Sequence, residues 1–188
     1  MKAYDLILKR RSIRKFLQKA VGLDLLDKCV DAARMGPSAV NLQPLDFITI
    51  TEDLDKIFEC TRWAGFIPDG APKEGERPVA YIAIISDKAR SVYCTVDSGI
   101  AAQNIVLTAL EEGVASCLLA ALDREKLDAV LKIPSHLHIE MLVALGYPMQ
   151  KSVSEVQKKD AFKYYLDSEN VVHVPKRPLK DVVHREQI

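Results

Sequence analysis

The chain has 188 residues, 48% of them hydrophobic, and its 26 Lys+Arg are balanced by 26 Asp+Glu. That is enough apolar material for one domain with a real core, and too much for a disordered chain. Zero formal charge excludes general nucleic-acid binding, which draws on a broad excess of Lys and Arg, and leaves room only for a local charged patch.

The start, MKAYDLILKR, is charged too early for a secretory leader. Residues 3–10 read as a short helix with Leu6 and Ile7 inward. It runs into KRRSIRKFLQK (9–19), which holds six positive charges and no acid. Such a cluster is either a solvated face or an anion site. Residues 24–35 form a second helix on the spacing of Leu25, Leu26, Cys29, Val30 and Ala33, with Asp24 as the expected N-cap. Gly36 and Pro37 stop it. DFITIT (46–51) is a strand by its β-branched alternation, and 53–62 a helix.

WAGFIPDGAPKEGERP (63–78) holds three Gly and three Pro and no periodic apolar face, so it reads as a long surface loop. VAYIAIIS (79–86) is apolar enough for a central strand buried on both faces. Residues 94–112 make the longest helix, apolar around much of its circumference. Its uncharged stretch, 98–110, contains Gln103 and Asn104 and falls short of the roughly 20 apolar residues that span a bilayer. A strand (114–120), a helix capped by Asp123 (122–133) and a strand ending in Gly146-Tyr147-Pro148 complete an α/β layered domain. Beyond residue 149 the chain turns polar, as an extended C-terminal arm would.

Most chemical signatures are missing. Gly65, Gly70 and Gly75 have the outer spacing of a P-loop but no following Lys-Ser/Thr, and no G-x-G-x-x-G occurs. His136 and His138 are too few for a zinc site, so no metal is expected. No G-x-S-x-G elbow is present, and His173 and His184 belong to no recognisable triad. Cys29, Cys60, Cys94 and Cys117 are scattered without C-x-x-C, which fits buried, reduced thiols in a cytoplasmic protein; Cys117 reads as core rather than nucleophile. The basic cluster is what remains. Arg10, Ser12 and Arg14 alternate, so an extended segment would project them together and turn Ile13 inward. Guanidinium groups there suit bidentate binding of phosphate, and Lys176-Arg177-Pro178 repeats the theme at the other end.

Five stretches occur in order: RRSIRKF (10–16), GPSAVNLQPLDFITI (36–50), GIAAQNIVLTALEEGVASC (99–117), VALGYP (143–148) and VPKRPLKDVV (174–183). Together they resemble the nitroreductase family of FMN-dependent oxidoreductases over nearly the whole chain. The resemblance implies an α/β (α+β) layered sandwich, a mostly antiparallel central sheet flanked by helices. It implies a single FMN-binding domain over 1–188 that works as a homodimer, with the arm (150–188) embracing the partner subunit. FMN would be the cofactor and NAD(P)H a transient reductant. The reaction implied is ping-pong reduction of a nitroaromatic, quinone or similar small acceptor, with no nucleic acid or membrane as partner.

By the same resemblance Arg10, Arg11, Ser12 and Arg14 bind the FMN phosphate and ribityl chain, completed by Lys176 and Arg177. Pro37, Ser38, Asn41 and Gln43 reach the flavin ring from the other subunit. A backbone N–H near Ala120 meets the N5/O4 edge. The family's G-L-G-S/T-C-W-I-G stands here as GVASCLLA (113–120), so Ala115 and Ala120 replace Gly and Leu118 replaces Trp. Ala120 can present its N–H if its φ is negative. No side chain is expected to be catalytic, because the flavin carries the redox chemistry. Trp63 and Phe66 are expected in the acceptor pocket. Two other readings stay open: a flavin enzyme of the same family with another task, such as reductive dehalogenation or flavin fragmentation, and an anion-binding module that is no enzyme.

Overall fold

Alternate side chains of one strand feed two separate cores. In β3 (Ala80–Asp87), Ala80, Ile82 and Ile84 join one cluster, and Tyr81, Ala83 and Ile85 the other; all are essentially inaccessible. The apolar run predicts a strand buried on both faces, and this is one. The computed structural model describes residues 2–63, 65–68 and 70–187.

The first core packs β3 against α2 (Leu23–Arg34) and α4 (Cys94–Glu111), through Leu26, Cys29, Ala102, Ile105 and Ala109. The second packs the opposite face against α3 (Leu54–Glu59) and α5 (Arg124–Leu131), through Ile57 and Leu127. Burying each large aliphatic side chain contributes about 1.5–3 kcal/mol. The four cysteines are free and buried.

The main sheet runs β1 (Phe16–Leu17), β5 (Leu137–Pro148), β3, β2 (Leu45–Ile50), and β4 (Ala115–Leu119) also pairs β5. Every pairing in it is antiparallel. The β3–β5 ladder slips between Ile84 and Ile85, which pair with Met141 and Ile139. Glu140 is therefore the extra residue of a bulge, and the facing of β5 side chains changes parity across it. Ile139 thus shares the second core with Leu142 and Ala144. The Glu140 carboxylate accepts from Ser86 Oγ at 2.7 Å and Thr95 Oγ1 at 3.4 Å.

Two helix starts contrast. Asp123 caps α5 as expected, its side chain accepting from Lys126 N at 3.2 Å. Asp24 does not cap α2: the Leu25 and Leu26 amides already bond Gly22 O, at 3.1 and 3.3 Å, so the helix begins one residue ahead of it. Asp24 serves the first turn instead, where a carboxylate suits the positive end of the helix dipole. The short first helix, α1 (Ala3–Lys9), buries Leu6, while Ile7 remains 48% exposed. Among the described residues of 63–78 there is no helix or strand; Ala64 and Asp69 lie outside the description.

The arm is a small sheet of its own. β6 (Lys151–Val156) pairs β8 (Val171–Lys176) in parallel, and β7 (Tyr165–Leu166) pairs β8 antiparallel. Val172 is the one buried core residue it supplies among the described residues. Polar contacts supplement that thin core. His173 presents Nδ1 to Glu155 Oε2 at 2.9 Å and Nε2 to Asp167 Oδ2 at 2.8 Å, and its ring stacks on Tyr165 at 4.9 Å. Only the doubly protonated ring can donate to both carboxylates, and the hydrogen bonds to Asp167 and Glu155 raise its pKa. No helix among the described residues is long and apolar enough to cross a membrane.

Candidate functional site

The basic segment is pinned to the sheet by its apolar residues. Ile13 N–H donates to Ser116 O at 2.9 Å, and Ser12 bridges Ser116. Ile13 is buried as expected, and Phe16 is inaccessible. The Phe16 ring occupies the space beside Gly146: a Cβ there would lie 2.9 Å from Phe16 Cβ and Cδ1.

Arg10 and Arg11 then line a cavity of about 230 Å³ with Ser116, Gln150 and Ser152. Arg11 donates to Ser154 Oγ and to Arg10 O, while its Nε is buried without a partner. Burial, and secondarily Arg10, lower the Arg11 pKa. Ser12 and Arg14 do not line this cavity. Arg14 N–H donates to Gln150 Oε1 at 3.2 Å, and its guanidinium carbon sits 4.7 Å from the Tyr164 ring centroid. Among the described residues, no carboxylate lies within 4.0 Å of Arg10, Arg11 or Arg14.

The 36–43 segment builds a second cavity, of about 210 Å³, lined by Pro37, Ser38, Gln43, Phe47, Arg90 and Asp97. The backbone here is strained: Val40, Asn41 and Gln43 have φ of 51°, 57° and 47°. A β-branched residue with positive φ is an outlier, and such strain gathers at functional segments. Ser38 Oγ accepts the Gln43 N–H at 3.0 Å, fixing the turn and leaving Val40 93% exposed. Asn41 lines neither cavity, and the two cavities share no lining residue.

Ala120 follows β4, is exposed, and does not adopt a positive φ, so its methyl group is no obstacle to that backbone conformation. Lys176 and Arg177 are exposed at the end of β8 and line neither cavity; Arg177 donates to Asp181 O. The two loop aromatics part ways. Trp63 packs against both the second core and the Ile13–Phe16 cluster, and its Nε1 donates to Thr61 Oγ1 at 2.7 Å. Phe66 is half-exposed and meets Phe162 and Tyr164 edge-on, at 6.4 and 5.3 Å. Cys117 is core: burial raises its thiol pKa, although Arg14 and Arg10 pull it down.

Sequence reasoning missed the arm's contribution to the first cavity. Gln150, Ser152 and Ser154 alternate, and that polar period of two signals one face of a strand. Tyr164 carries no comparable signal. Chemically, the first cavity is a cation-rich recess suited to an anion. Among the described residues no group of three or more His, Cys, Asp or Glu could hold a metal ion.

Comparison with known proteins agrees with this architecture. A sequence model described as the nitroreductase family matches residues 7–147. A Methanothermobacter thermautotrophicus protein assigned as an NADH dehydrogenase/NAD(P)H nitroreductase is 33% identical over 158 residues, covering 80% of this chain and 79% of that protein. An FMN-dependent nitroreductase from Clostridium difficile superposes with a TM-score of 0.70 at 27% identity, covering 97% of this chain and 98% of that one. A Desulfovibrio desulfuricans protein assigned as a nitroreductase and solved in complex with FMN gives a TM-score of 0.73 at 24% identity, covering 100% and 98%. With its antiparallel sheet between two helical layers and a family match across most of its length, the chain belongs to the nitroreductase family.

Proposed function

We propose that the chain is an FMN-dependent NAD(P)H oxidoreductase that reduces a nitroaromatic, quinone or similar small acceptor in ping-pong turnover. One observation carries this: three neighbouring arginines, none with a carboxylate within 4.0 Å among the described residues, gathered at or beside a recess. Guanidinium groups grouped in this way suit an exogenous anion, and they fit a phosphate bidentately.

The residues present fit FMN. Arg11, with its partly buried side chain and orphaned Nε, can bind a phosphate at the Arg10/Arg11 cavity, with Ser12 and Arg14 reaching it from beside the cavity they do not line. Lys176 and Arg177 complete the clamp. Pro37, Ser38, Asn41 and Gln43 serve the ring of the partner's flavin, and the Ala120 N–H serves the N5/O4 edge of the flavin. Bound FMN supplies the redox chemistry, taking reducing equivalents from NAD(P)H and passing them to the acceptor. The chain's residues bind and orient it and keep one ring face open.

Two cavities of about 230 and 210 Å³ both fall below the roughly 300–1,000 Å³ of a complete small-molecule site. A homodimer that joins one half-site from each chain resolves this. An adjoining cavity lined by Pro37, Tyr93, Val96 and Ile100 is apolar, with Tyr93 and Val96 57% and 61% exposed, as a surface awaiting a partner would be. In this reading residues 1–188 form one domain that acts in the cytoplasm, and the 150–188 arm embraces the partner.

The test is direct. Purified protein should carry flavin absorbance, oxidise NADH or NADPH, and give double-reciprocal lines that stay parallel as the acceptor is varied. A colourless protein that takes up no added FMN refutes the reading; a flavoprotein with intersecting lines refutes the ping-pong order alone.

A further inference from the structure

Tyr164 lies in the arm between β6 and β7, far from Arg14 in sequence, and its ring meets two other parts of the molecule. The Arg14 guanidinium carbon sits 4.7 Å from its centroid. Phe66, from the 63–78 loop, meets it edge-on at 5.3 Å and 65°. Gln150 fixes the other end of Arg14 by accepting its backbone N–H at 3.2 Å, and Gln150 also lines the Arg10/Arg11 cavity. Arg14 is therefore held at both backbone and head group, beside the recess and, among the described residues, with no acid within 4.0 Å.

A free arginine loses much rotamer freedom when it grips a ligand. A ring that already seats the cation removes part of that loss, and cation–π attraction leaves guanidinium N–H groups available for an anion. We propose that Tyr164 is a positioning residue for the phosphate-binding arginines: its ring holds Arg14 poised beside the Arg10/Arg11 recess. The 63–78 loop touches the same ring through Phe66, so the loop and the clamp meet at one side chain. This rests on the FMN reading above.

The experiment is a double-mutant cycle read by FMN affinity, using fluorescence quenching on flavin-stripped protein. Tyr164→Phe keeps a ring and should stay within about twofold of the unmutated chain. Tyr164→Leu keeps bulk without the ring's quadrupole and should weaken FMN about three- to tenfold. In an Arg14→Ala background the same Leu change should have no further effect. Tyr164→Gln, also without a ring, repeats the test should the Leu variant lose its cooperative melt. FMN affinity unchanged in Tyr164→Leu, or an equal loss with and without Arg14, overturns the proposal and makes Tyr164 packing only. An unmutated chain that binds no FMN overturns the flavin reading, and this inference with it.

Discussion

Arg14 and Tyr164 are joined across the molecule, guanidinium carbon to ring centroid, at 4.7 Å. The contact ties the basic segment near the start of the chain to the arm near its end. Arg14 is thus a presented cation rather than a solvated one. Arg14→Ala should weaken FMN binding by about 1.5–3 kcal/mol, the scale of a charge-assisted hydrogen bond. Equilibrium titration measures it, and unchanged affinity removes Arg14 from the clamp.

Gly146 and Phe16 set the stability of the same segment. A Cβ at 146 would sit 2.9 Å from Phe16 Cβ, which cannot swing away as a side-chain tip could. Gly146→Ala should cost about 1–3 kcal/mol by overpacking. It should also loosen FMN, because Phe16 anchors the segment that follows the arginines. Denaturant melts read the first effect and flavin retention the second.

Trp63 and Phe66 should separate cleanly. Trp63→Ala removes a core contact and a hydrogen-bonded indole, and should cost about 3 kcal/mol of stability. Phe66→Ala, at a half-exposed site, should leave fold and flavin content intact. It should instead alter stopped-flow reoxidation of the reduced protein by flat acceptors. Rates equal to the unmutated protein's for every acceptor would assign Phe66 to the arm's packing alone.

The arm should carry a pH dependence of its own. The pKa of His173 is raised above its ordinary 6.5, first by its hydrogen bond to Asp167 and then by that to Glu155. That stabilisation is complete below 6.5 and is lost as pH rises through the raised value. Asp167 is lowered from its ordinary 3.8, first by the Val171 N–H and then by His173; its contribution is complete above 3.8 and is lost as pH falls through the depressed value. Arm protection, followed by hydrogen exchange at β8, should therefore peak between these limits. His173→Gln should flatten the alkaline side, and a variant with the parent's profile would exclude the histidine as the cause.

The holo-protein should sediment as a dimer at micromolar concentration, with an interface above about 2,000 Å². A flavin-loaded monomer there would dismiss the two-chain site.

The layers were legible in the sequence because their physics is local or periodic: β3 by an unbroken apolar run, α5 by the Asp123 cap, Ile13 by alternation. The α2 start was not, because Gly22 and Asp24 both satisfy the capping rules and the backbone path chooses between them. The arm's sheet was hidden by a two-residue strand, a parallel pairing and, among its described residues, a single buried valine. In the site, the residue types were legible and their grouping was not. Nothing in the spacing of RRSIR says that Arg11 rather than Arg14 turns into the recess, or that a tyrosine in the arm receives Arg14.

The bulge at Glu140 governs how the chain can change length. In the 63–78 loop, where no ladder keeps count, an inserted residue costs little beyond closure entropy. At position 140 one residue is already surplus to the ladder: Ile84 and Ile85 pair with Met141 and Ile139, and Glu140 is passed over. Deleting Glu140 would close the bulge into a regular ladder and leave Ile139 opposite Ile85 in the second core, at the cost of the carboxylate that accepts from Ser86 Oγ. A relative with a one-residue gap there needs only a new partner for the Ser86 hydroxyl, whereas a gap at Leu142, Val143 or Ala144 would turn the rest of the strand to the wrong core. Insertions and deletions along this lineage should accordingly collect in the loop, the arm and the bulge, and skip the regularly paired run 141–145.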